Sequence, residues 1–386
     1  MNISIKNKFE CCGCTACENI CPHNAIQMKA DSMGFKYPVV DEKKCTDCGI
    51  CVKVCSFGKE YDVKQNLDKP ICFGARHKNN EELMTSRSGG TFAALSDWII
   101  QEGGVVYGTS FDSEFKVVHK RAVSKEECKN FKGSKYVQSD IDGVFKSVRE
   151  DLKNGKNVLF SGTPCQIAGL KSYIPNKYKE NLYLVDIICH GVPSPKFWSD
   201  YLVYTQQKNG GIIQSADFRD KNKFGWRDHN ESFKINGKYI YPRTYTYTFY
   251  KHIMLRLCCS ECPFCNTKRP SDLTLGDFWG WEKTNPKFNK DDKGCSLVLC
   301  NTQKGLEMFY AVKNNMDVIE TSIEKCMQIH LSEPTKHNIN REKFEYDYVH
   351  QGFIYVLNKY CKETVNERVR RYLGKAKRFI LNKNGR

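Results

Sequence analysis

Two runs of cysteine near the start of the chain limit its possible folds more than any other feature. Each run has the spacing Cys-x2-Cys-x2-Cys-x3-Cys, and proline follows the first run. This spacing is typical of thiolates that hold a cubane iron–sulfur cluster, and two such runs are typical of a two-cluster bacterial-type ferredoxin. The cysteines are Cys11, Cys14, Cys17 and Cys21 in the first run, and Cys45, Cys48, Cys51 and Cys55 in the second.

The fourth cysteine of each run is expected to ligate the cluster of the other run. We therefore predict one cluster on Cys11, Cys14, Cys17 and Cys55, and another on Cys45, Cys48, Cys51 and Cys21. Cys12 is an extra thiol that we interpret as a bystander, and Ser56 stands where proline is usual. A zinc site or disulfides are the alternatives, but zinc knuckles use pairs of Cys-x2-Cys rather than these triplets.

Length and charge narrow the class of protein further. The 386 residues leave room for two or three domains, and the net charge is +16. Residues 1–10 contain no apolar run that would serve as an export signal, so we expect a reducing cytoplasm and no disulfides. No stretch has the length of a membrane span. No basic stripe interleaved with aromatics supports nucleic-acid binding. Two interpretations of the charge remain: it attracts an acidic electron carrier, a ferredoxin or flavodoxin, or it is local to the C-terminal segment.

The C-terminal segment, residues 367–386, carries part of this charge. Basic side chains alternate there with apolar ones, which predicts a basic amphipathic helix. Such a helix suits the anionic inner face of a membrane. The alternative, which we favour, is a terminal helix that packs on the body of the protein.

Short apolar strands alternate with helical stretches after the ferredoxin part, which predicts an α+β protein with an α/β-like body. The pattern predicts helices over Thr91–Gln101 and Val144–Lys153, hairpins in the polar stretch 217–241, and a short hairpin turned at Gly34 between the two cysteine runs. We expect a two-cluster ferredoxin domain over residues 1–62 and a polar linker over 62–70. Two parts of a mixed-sheet flavin and iron–sulfur domain would follow, over residues 70–155 and 156–335. Residues 336–386 would form the helical basic tail.

A third set of cysteines lies in the body, at Cys259, Cys262 and Cys265, again with cubane spacing. The candidates for a fourth ligand are Cys165, Cys189 and Cys258. We favour Cys165, because its loop after a predicted strand would present one side chain. A zinc knuckle or buried free thiols are the alternatives.

Several turns have the composition of phosphate-binding segments. One opens a predicted helix, where free backbone N–H groups favour a pyrophosphate. Each turn alone is a weak signal, and no G-x-G-x-x-G follows a strand, so a Rossmann site is not expected. The candidate residues are Ser88, Gly89, Gly90 and Thr91, then Lys135, Tyr136, Gln138 and Ser139, and finally Gly162 and Thr163.

Two further positions are candidates for the chemistry itself. Asp277 ends a predicted strand before aromatic residues that could stack on a flat ring, although core packing is the more usual role of such residues. His190 beside Cys189 could donate a proton to a reduced substrate, or could be a structural histidine. Clusters pass single electrons whereas most organic reductions need two, and a flavin converts between these modes.

Taken in order along residues 1–335, these segments resemble the family of coenzyme F-420 hydrogenase/dehydrogenase beta subunits. The resemblance rests on the cysteine runs, the segments at residues 88–90, 133–139, 162–166 and 189–194, the cysteine set at 259–265, and the pairs 271–272 and 276–277. It implies FAD held by residues 88–91, 135–139 and 162–163, and a body cluster. Members include beta subunits of deazaflavin-reducing hydrogenase and of formate dehydrogenase, and a chlorophyll-derivative reductase.

The resemblance implies an iron–sulfur flavoprotein oxidoreductase. Electrons would come from a ferredoxin-type donor or reduced deazaflavin, pass through 4Fe-4S clusters and FAD, and reach a small organic substrate. Versions with a fused ferredoxin and a basic tail are similar to those found beside polysaccharide biosynthesis genes. The rival hypotheses are a non-catalytic electron-transfer subunit of a larger complex and a zinc-stabilised binding module.

Overall fold

A computed structural model describes residues 2–4, 7–57, 60–369, 371 and 373 of the chain. Within these residues both strands and helices follow one another along the chain. The strands are β1 (Ile26–Ala30), β2 (Lys36–Val40), β3 (Asn66–His77), β4 (Val105–Phe111), β5 (Val117–Ala122), β6 (Val158–Gly162), β7 (Leu182–Ile187), β8 (Ile213–Asp217), β9 (Ser232–Ile235), β10 (Lys238–Ile240), β11 (Leu273–Asp277), β12 (Ser296–Thr302) and β13 (Met316–Thr321).

The helices occupy most of the segments between these strands. They are α1 (Ala16–Ile20), α2 (Ile50–Val54), α3 (Asn80–Thr85), α4 (Thr91–Gln101), α5 (Lys125–Cys128), α6 (Val144–Lys153), α7 (Pro164–Tyr173), α8 (Pro195–Asn209), α9 (Lys221–Phe224), α10 (Thr244–Tyr250), α11 (Gln303–Val312), α12 (Ile323–Cys326) and α13 (Arg341–Tyr360). Helix α13 is interrupted at Gly352. None of the helices in the described residues is both long enough and apolar enough to cross a membrane.

A mixed sheet organises the body. In the described part of the chain it has eight strands in the order β13-β3-β12-β11-β7-β6-β4-β5. The strands β11, β7, β6 and β4 run parallel, and the outer pairs are antiparallel. Helices α4 and α11 cover one face and α6 and α7 the other, so the central strands are apolar on both sides. The predicted mixed α/β-like body is confirmed.

The N-terminal ferredoxin-like unit packs directly on the body. Apolar side chains of α1, β1 and α2 share one core with those of α6 and α7. Gly169 in α7 lies against the ferredoxin unit, where an added Cβ would stand 2.7 Å from Cys14 Sγ. The Ser56 hydroxyl donates to the carbonyl of Ala168 at 3.0 Å. The serine that replaces the usual proline therefore links the ferredoxin unit to α7.

The predicted hairpin between the cysteine runs is formed by β1 and β2, and its turn contacts a second core. Ser194, the N-cap of α8, donates to the carbonyl of Met33 at 2.6 Å and accepts from the amide of Phe197. Met33 and Phe35 are buried with aromatic residues of α8 and α10. This second core lies under the small sheet β10-β9-β8.

Most predicted elements are present, with some differences. The predicted helices at Thr91–Gln101 and Val144–Lys153 have these bounds in the structure. The hairpin expected in the polar stretch is β9–β10, turned at Asn236 and Gly237, which both have positive φ. The linker predicted over residues 62–70 is partly wrong, because β3 begins at Asn66 and pairs with Thr302. Most of the predicted basic helix, residues 370, 372 and 374–386, lies outside the described residues.

Candidate functional site

Three parallel strands deliver the chemistry-bearing residues to one edge of the sheet. The strands β6, β7 and β11 end at Gly162, Ile187 and Asp277, and neighbouring parallel strands place their carboxyl ends together. The segments that follow carry Thr163 and Cys165, then Cys189 and His190. The predicted site residues therefore converge although they lie far apart in the chain.

The four thiols predicted for one ferredoxin cluster come together at the junction with the body. Burial raises the pKa of Cys11 to about 11, and the nearby thiols of Cys14 and Cys55 raise it further while Arg256 opposes this. The pKa of Cys17 is raised by burial and by the same neighbours. We call Cys11, Cys14, Cys17 and Cys55 the inner set.

The four thiols predicted for the other ferredoxin cluster face outward. They line one pocket near the surface, together with Pro22 and the loop that follows β2. Cys48 is exposed, and the Asp47 carboxylate lies 3.9 Å from Cys45 Sγ. We call Cys21, Cys45, Cys48 and Cys51 the outer set.

The body brings together five candidate thiols from three separate segments: the first turn of α7, the loop after β7, and residues 259–265. Burial raises the pKa of Cys189, and the thiols of Cys259, Cys165 and Cys265 raise it further. Cys262 lies beside Cys265, with Cys165 and Cys259 also close. We call Cys165, Cys189, Cys259, Cys262 and Cys265 the body set. Its thiol-only chemistry is that of iron–sulfur ligands.

Cys258 is the remaining candidate for the fourth ligand. It is almost fully buried beside Cys259, with Arg256 and Cys165 also close. In the described part of the chain, no group of three or more His, Cys, Asp or Glu side chains is arranged to hold a single metal ion.

Cys12 lies between the inner set and the body set. Its side chain is 5% exposed, and its thiol is within hydrogen-bonding reach of both Cys14 and Cys165. No sequence pattern assigned it more than a bystander role, because the contact with Cys165 depends on how the ferredoxin unit packs. The structure places it at the contact between two thiol sets.

A pocket of about 440 Å³ opens next to the body set. Cys189 and the segment that follows it, as far as Pro193, form part of its wall. Ten of the predicted cofactor-binding and catalytic residues line it. They are Ser88, Gly90, Thr91, Lys135, Tyr136, Ser139, Gly162, Thr163, His190 and Asp277.

Two predicted flavin contacts have other surroundings. Gly89 does not line the pocket: an added Cβ would meet the Ala75 carbonyl oxygen at 2.0 Å, so glycine lets this segment pass close to β3. The Gln138 side chain also lies outside the pocket lining. It donates to the Cys12 carbonyl at 2.9 Å and accepts from Arg256 at 2.8 Å. Gln138 thus contacts the ferredoxin unit instead.

One end of the pocket has the features of a phosphate site. Helix α4 begins there at Thr91, which leaves backbone N–H groups and the positive end of the helix dipole at the pocket. Thr91 is 1% exposed, and its hydroxyl has no hydrogen-bond partner among the described residues. The Nε of Arg87 is likewise buried and unpartnered there. These donors fit the pyrophosphate of a dinucleotide.

Lys135 lines the pocket, and the protonation of its amine depends on what the pocket holds. Its ammonium donates to the carbonyls of Lys132 at 2.7 Å and Asn130 at 3.0 Å. Burial lowers its pKa to about 7, which Asp217 only partly opposes. An anion bound in the pocket would favour the protonated form.

Asp277, which also lines the pocket, is held in a buried network. Its carboxylate accepts from Arg219 at 2.5 Å and from the indole of Trp226 at 2.9 Å. Burial opposes the charge, but Arg219 and Arg87 hold the pKa of Asp277 below its usual range. Trp279 stacks on Trp226 with ring centroids 4.4 Å apart and is 40% exposed. Asp277 therefore positions Arg219.

His190 lies in a group of histidines that the sequence did not reveal. Its Nε2 is 2.8 Å from Nε2 of His252, and its ring centroid is 4.3 Å from that of His330. Burial and these two neighbours lower the pKa of His190 to about 3. The imidazole is therefore neutral at physiological pH. His252 and His330 are distant in the chain, so no local pattern links them to His190.

Two family models match the chain, one in the body and one in the ferredoxin unit. Residues 155–326 match the model described as the C terminus of the coenzyme F420 hydrogenase/dehydrogenase beta subunit. Residues 10–59 match the 4Fe-4S dicluster domain. A chain of the F420-reducing NiFe hydrogenase complex from Methanosarcina barkeri aligns with a TM-score of 0.46 and 16% identity, covering 80% of this chain and 98% of that one.

Two curated relatives have names that refer to coenzyme F420. A coenzyme F420-dependent sulfite reductase of Methanocaldococcus jannaschii is 22% identical over 360 residues, which cover 88% of this chain and 52% of that protein. One subunit of the F(420)H(2) dehydrogenase of Methanosarcina mazei is 21% identical over 192 residues, 46% of this chain and 53% of that protein. The chain spans about half the length of these relatives. It carries an N-terminal 4Fe-4S dicluster domain and, over residues 155–326, a domain that matches the C terminus of the coenzyme F420 hydrogenase/dehydrogenase beta subunit, and it is related to F420-dependent oxidoreductases.

Proposed function

We propose that this chain is an iron–sulfur flavoprotein oxidoreductase that reduces a small organic substrate. The observation that carries the proposal is a continuous series of contacts. The inner set meets the body set through Cys12, and Cys189 of the body set forms part of the wall of the pocket. Each contact joins a candidate electron-carrying site to the next.

The outer and inner sets would each hold one 4Fe-4S cluster, and the body set a third. Three of the body ligands are Cys259, Cys262 and Cys265, because their spacing matches the ferredoxin runs. For the fourth we retain Cys165, since its thiol lies near those of Cys262 and Cys265. Cys189 is the alternative. Iron content of the Cys165→Ala and Cys189→Ala proteins distinguishes them.

The pocket would hold FAD, which when bound converts between single electrons and electron pairs. The amino end of α4 and the unpartnered Thr91 hydroxyl would bind its pyrophosphate. Lys135 would supply a positive charge, and Trp279 a flat apolar wall. His190, being neutral, would donate an N–H hydrogen bond to the substrate, while its Nε2 shares a hydrogen bond with His252.

The exposed outer set suggests where the external donor approaches. An acidic ferredoxin or flavodoxin, or reduced deazaflavin, would deliver electrons, and the net charge of +16 favours an acidic carrier. The role in polysaccharide biosynthesis that the sequence implied stays a prediction. Because one relative belongs to a dehydrogenase of several subunits, the second candidate is an electron-transfer subunit of a larger complex. Purification from the native host with a stoichiometric partner would favour that candidate.

Flavin reduction tests the proposal. Anaerobically purified protein loaded with FAD is mixed with a reduced ferredoxin, and bleaching of the flavin is followed by stopped-flow absorbance. We expect Cys262→Ala to retain FAD while its flavin is reduced at least about tenfold more slowly, because the body cluster is lost. Equal rates in the two proteins, or no FAD binding by the unaltered chain, would overturn the proposal.

A further inference from the structure

Arg256 is a buried cation at the junction between the ferredoxin unit and the body. Its side chain is 1% exposed. Its backbone amide donates to the Val192 carbonyl at 3.0 Å, and its own carbonyl accepts from the amide of Cys259 at 3.0 Å. The loops that carry Cys189 and Cys259 therefore fix the position from which its side chain extends.

The guanidinium of Arg256 is directed at the inner set. Its Nε donates to the Cys11 carbonyl at 2.8 Å, and its Nη2 donates to the Lys36 carbonyl at 2.9 Å and lies 3.7 Å from Cys11 Sγ. Nη1 donates to Gln138. The ring of Tyr37 stacks on it at 4.1 Å. A side chain at position 13 would clash, since an added Cβ would stand 2.9 Å from Nη1.

This cation differs from the other buried arginines in its counter-charge. Arg269 pairs with Asp186 at 3.1 Å, and Arg341 pairs with Glu345 at 2.9 Å. Among the described residues, no carboxylate forms an ion pair with Arg256. The acidic groups near it include the thiols of Cys11, Cys12, Cys14, Cys165 and Cys258 and the phenol of Tyr37. A buried charge without a counter-charge is strongly unfavourable, so an anion is expected beside it.

We propose that Arg256 is the counter-ion of the cluster held by the inner set, and that it raises the reduction potential of this cluster above that of the outer cluster. The inference rests on the proposed function, since it requires the clusters to be present. A nearby cation and an N–H donor to a ligand sulfur both favour the reduced state, which carries one more negative charge.

The charges around the two ferredoxin sets then differ in the direction that favours electron transfer from an outer to an inner cluster. The outer set faces the carboxylate of Asp47 near Cys45 and the neutral amide of Asn2, whose Nδ2 is 3.8 Å from the same sulfur. The inner set faces a guanidinium. A single electron delivered to an outer cluster would thus be more stable on an inner cluster, next to the body.

Redox titration of the full chain followed by electron paramagnetic resonance tests this role. Arg256→Gln should lower the reduction potential of one ferredoxin cluster by at least about 59 mV, which is a tenfold change in the one-electron equilibrium constant. Arg256→Lys should lower it less, because the charge remains while the planar set of donors is lost. The matched control is Arg341→Gln, which alters a buried arginine beside Leu255 and should leave the cluster potentials unchanged.

The outcomes separate this inference from the proposed function. Unaltered chain that shows no iron–sulfur signals would overturn both. Unaltered chain with its signals, together with unshifted potentials in Arg256→Gln at full iron content, would overturn the role of Arg256 alone. If Arg256→Gln does not fold, Arg256→Lys decides: a lowered potential of one ferredoxin cluster supports the role, and unchanged potentials contradict it.

Discussion

The ferredoxin unit and the body gather their thiols in different ways. In the ferredoxin unit, ligands that belong together lie within two short runs, and local loop geometry turns them inward. In the body, Cys165 and Cys189 follow separate strands, and Cys259, Cys262 and Cys265 come from a distant loop. The first arrangement depends on local sequence, whereas the second exists only when the sheet has formed. We therefore expect the body site to be the more sensitive to changes in the surrounding fold.

The largest effect should come from removing a ligand of the body set. Cys262→Ala should lose about one third of the iron, because one of three cubanes is lost while the ferredoxin runs keep theirs. Iron and acid-labile sulfide per chain measure this. Cys300→Ala is the matched control, since that thiol is fully buried in β12 and outside the three sets. Equal iron loss from all sites in Cys262→Ala would contradict the separation of the two regions.

The next largest effect should come from loss of the Asp277 carboxylate, which should destabilise the body. Asp277→Asn leaves the Arg219 guanidinium buried without its partner, which costs about 3–5 kcal/mol of unfolding free energy. Urea denaturation measures the loss. In the control, Asp291→Asn breaks the more exposed pair with Arg76, where we expect about 1 kcal/mol or less. Similar losses in both variants would show that the network around Asp277 is not special.

Flavin affinity should fall with rising pH because of Lys135. Burial lowers the pKa of its ammonium to about 7 in the empty pocket, and a bound pyrophosphate should raise it again. Binding then takes up a proton above pH 7, so FAD should bind about tenfold more weakly at pH 8 than at pH 6. Quenching of flavin fluorescence gives the affinity. Lys135→Gln should bind weakly at both pH values, and a pH dependence that survives this change would refute the assignment.

The smallest effect should come from the contact between the ferredoxin unit and the body. Ser56→Ala removes the buried hydrogen bond to Ala168 and should cost about 1 kcal/mol of unfolding free energy. Ser147→Ala is the control and should cost about 0.5 kcal/mol or less, because this serine is exposed and its hydroxyl donates to the carbonyl of Gly143, the N-cap of α6. Thermal or urea unfolding of both proteins supplies the comparison. A Ser56→Ala protein as stable as the unaltered chain would show that this hydrogen bond does not stabilise the contact between the ferredoxin unit and the body.

The difference between local and long-range contacts explains what can be predicted from the sequence. Cysteine spacing and apolar periodicity depend on near neighbours, so they predict the ferredoxin unit and the helix Thr91–Gln101, and both are confirmed. Residues such as Thr91 and Lys135 were expected together because glycine and hydroxyl patterns mark phosphate turns, and they do line one pocket. Arg256, Cys12 and the partners of His190 were missed. Their contacts join segments far apart in the chain, as in the hydrogen bond from Arg256 to Cys11.

Gln138 shows why a correct segment does not fix the role of each side chain. It lies between Val137 and Ser139, which both line the pocket, while its own side chain is directed away from the pocket. Its amide therefore meets Cys12 and Arg256 on the ferredoxin side. Only the packing of the ferredoxin unit on the body decides which side faces the pocket.

Cofactor content of the full chain tests the central claim most directly. Protein purified without oxygen and reconstituted with iron, sulfide and FAD should contain about twelve irons, about twelve acid-labile sulfides and about one FAD per chain. That result is expected if the outer, inner and body sets each hold a cubane and the pocket holds the flavin. Zinc without sulfide, or about eight irons without flavin, would contradict the account.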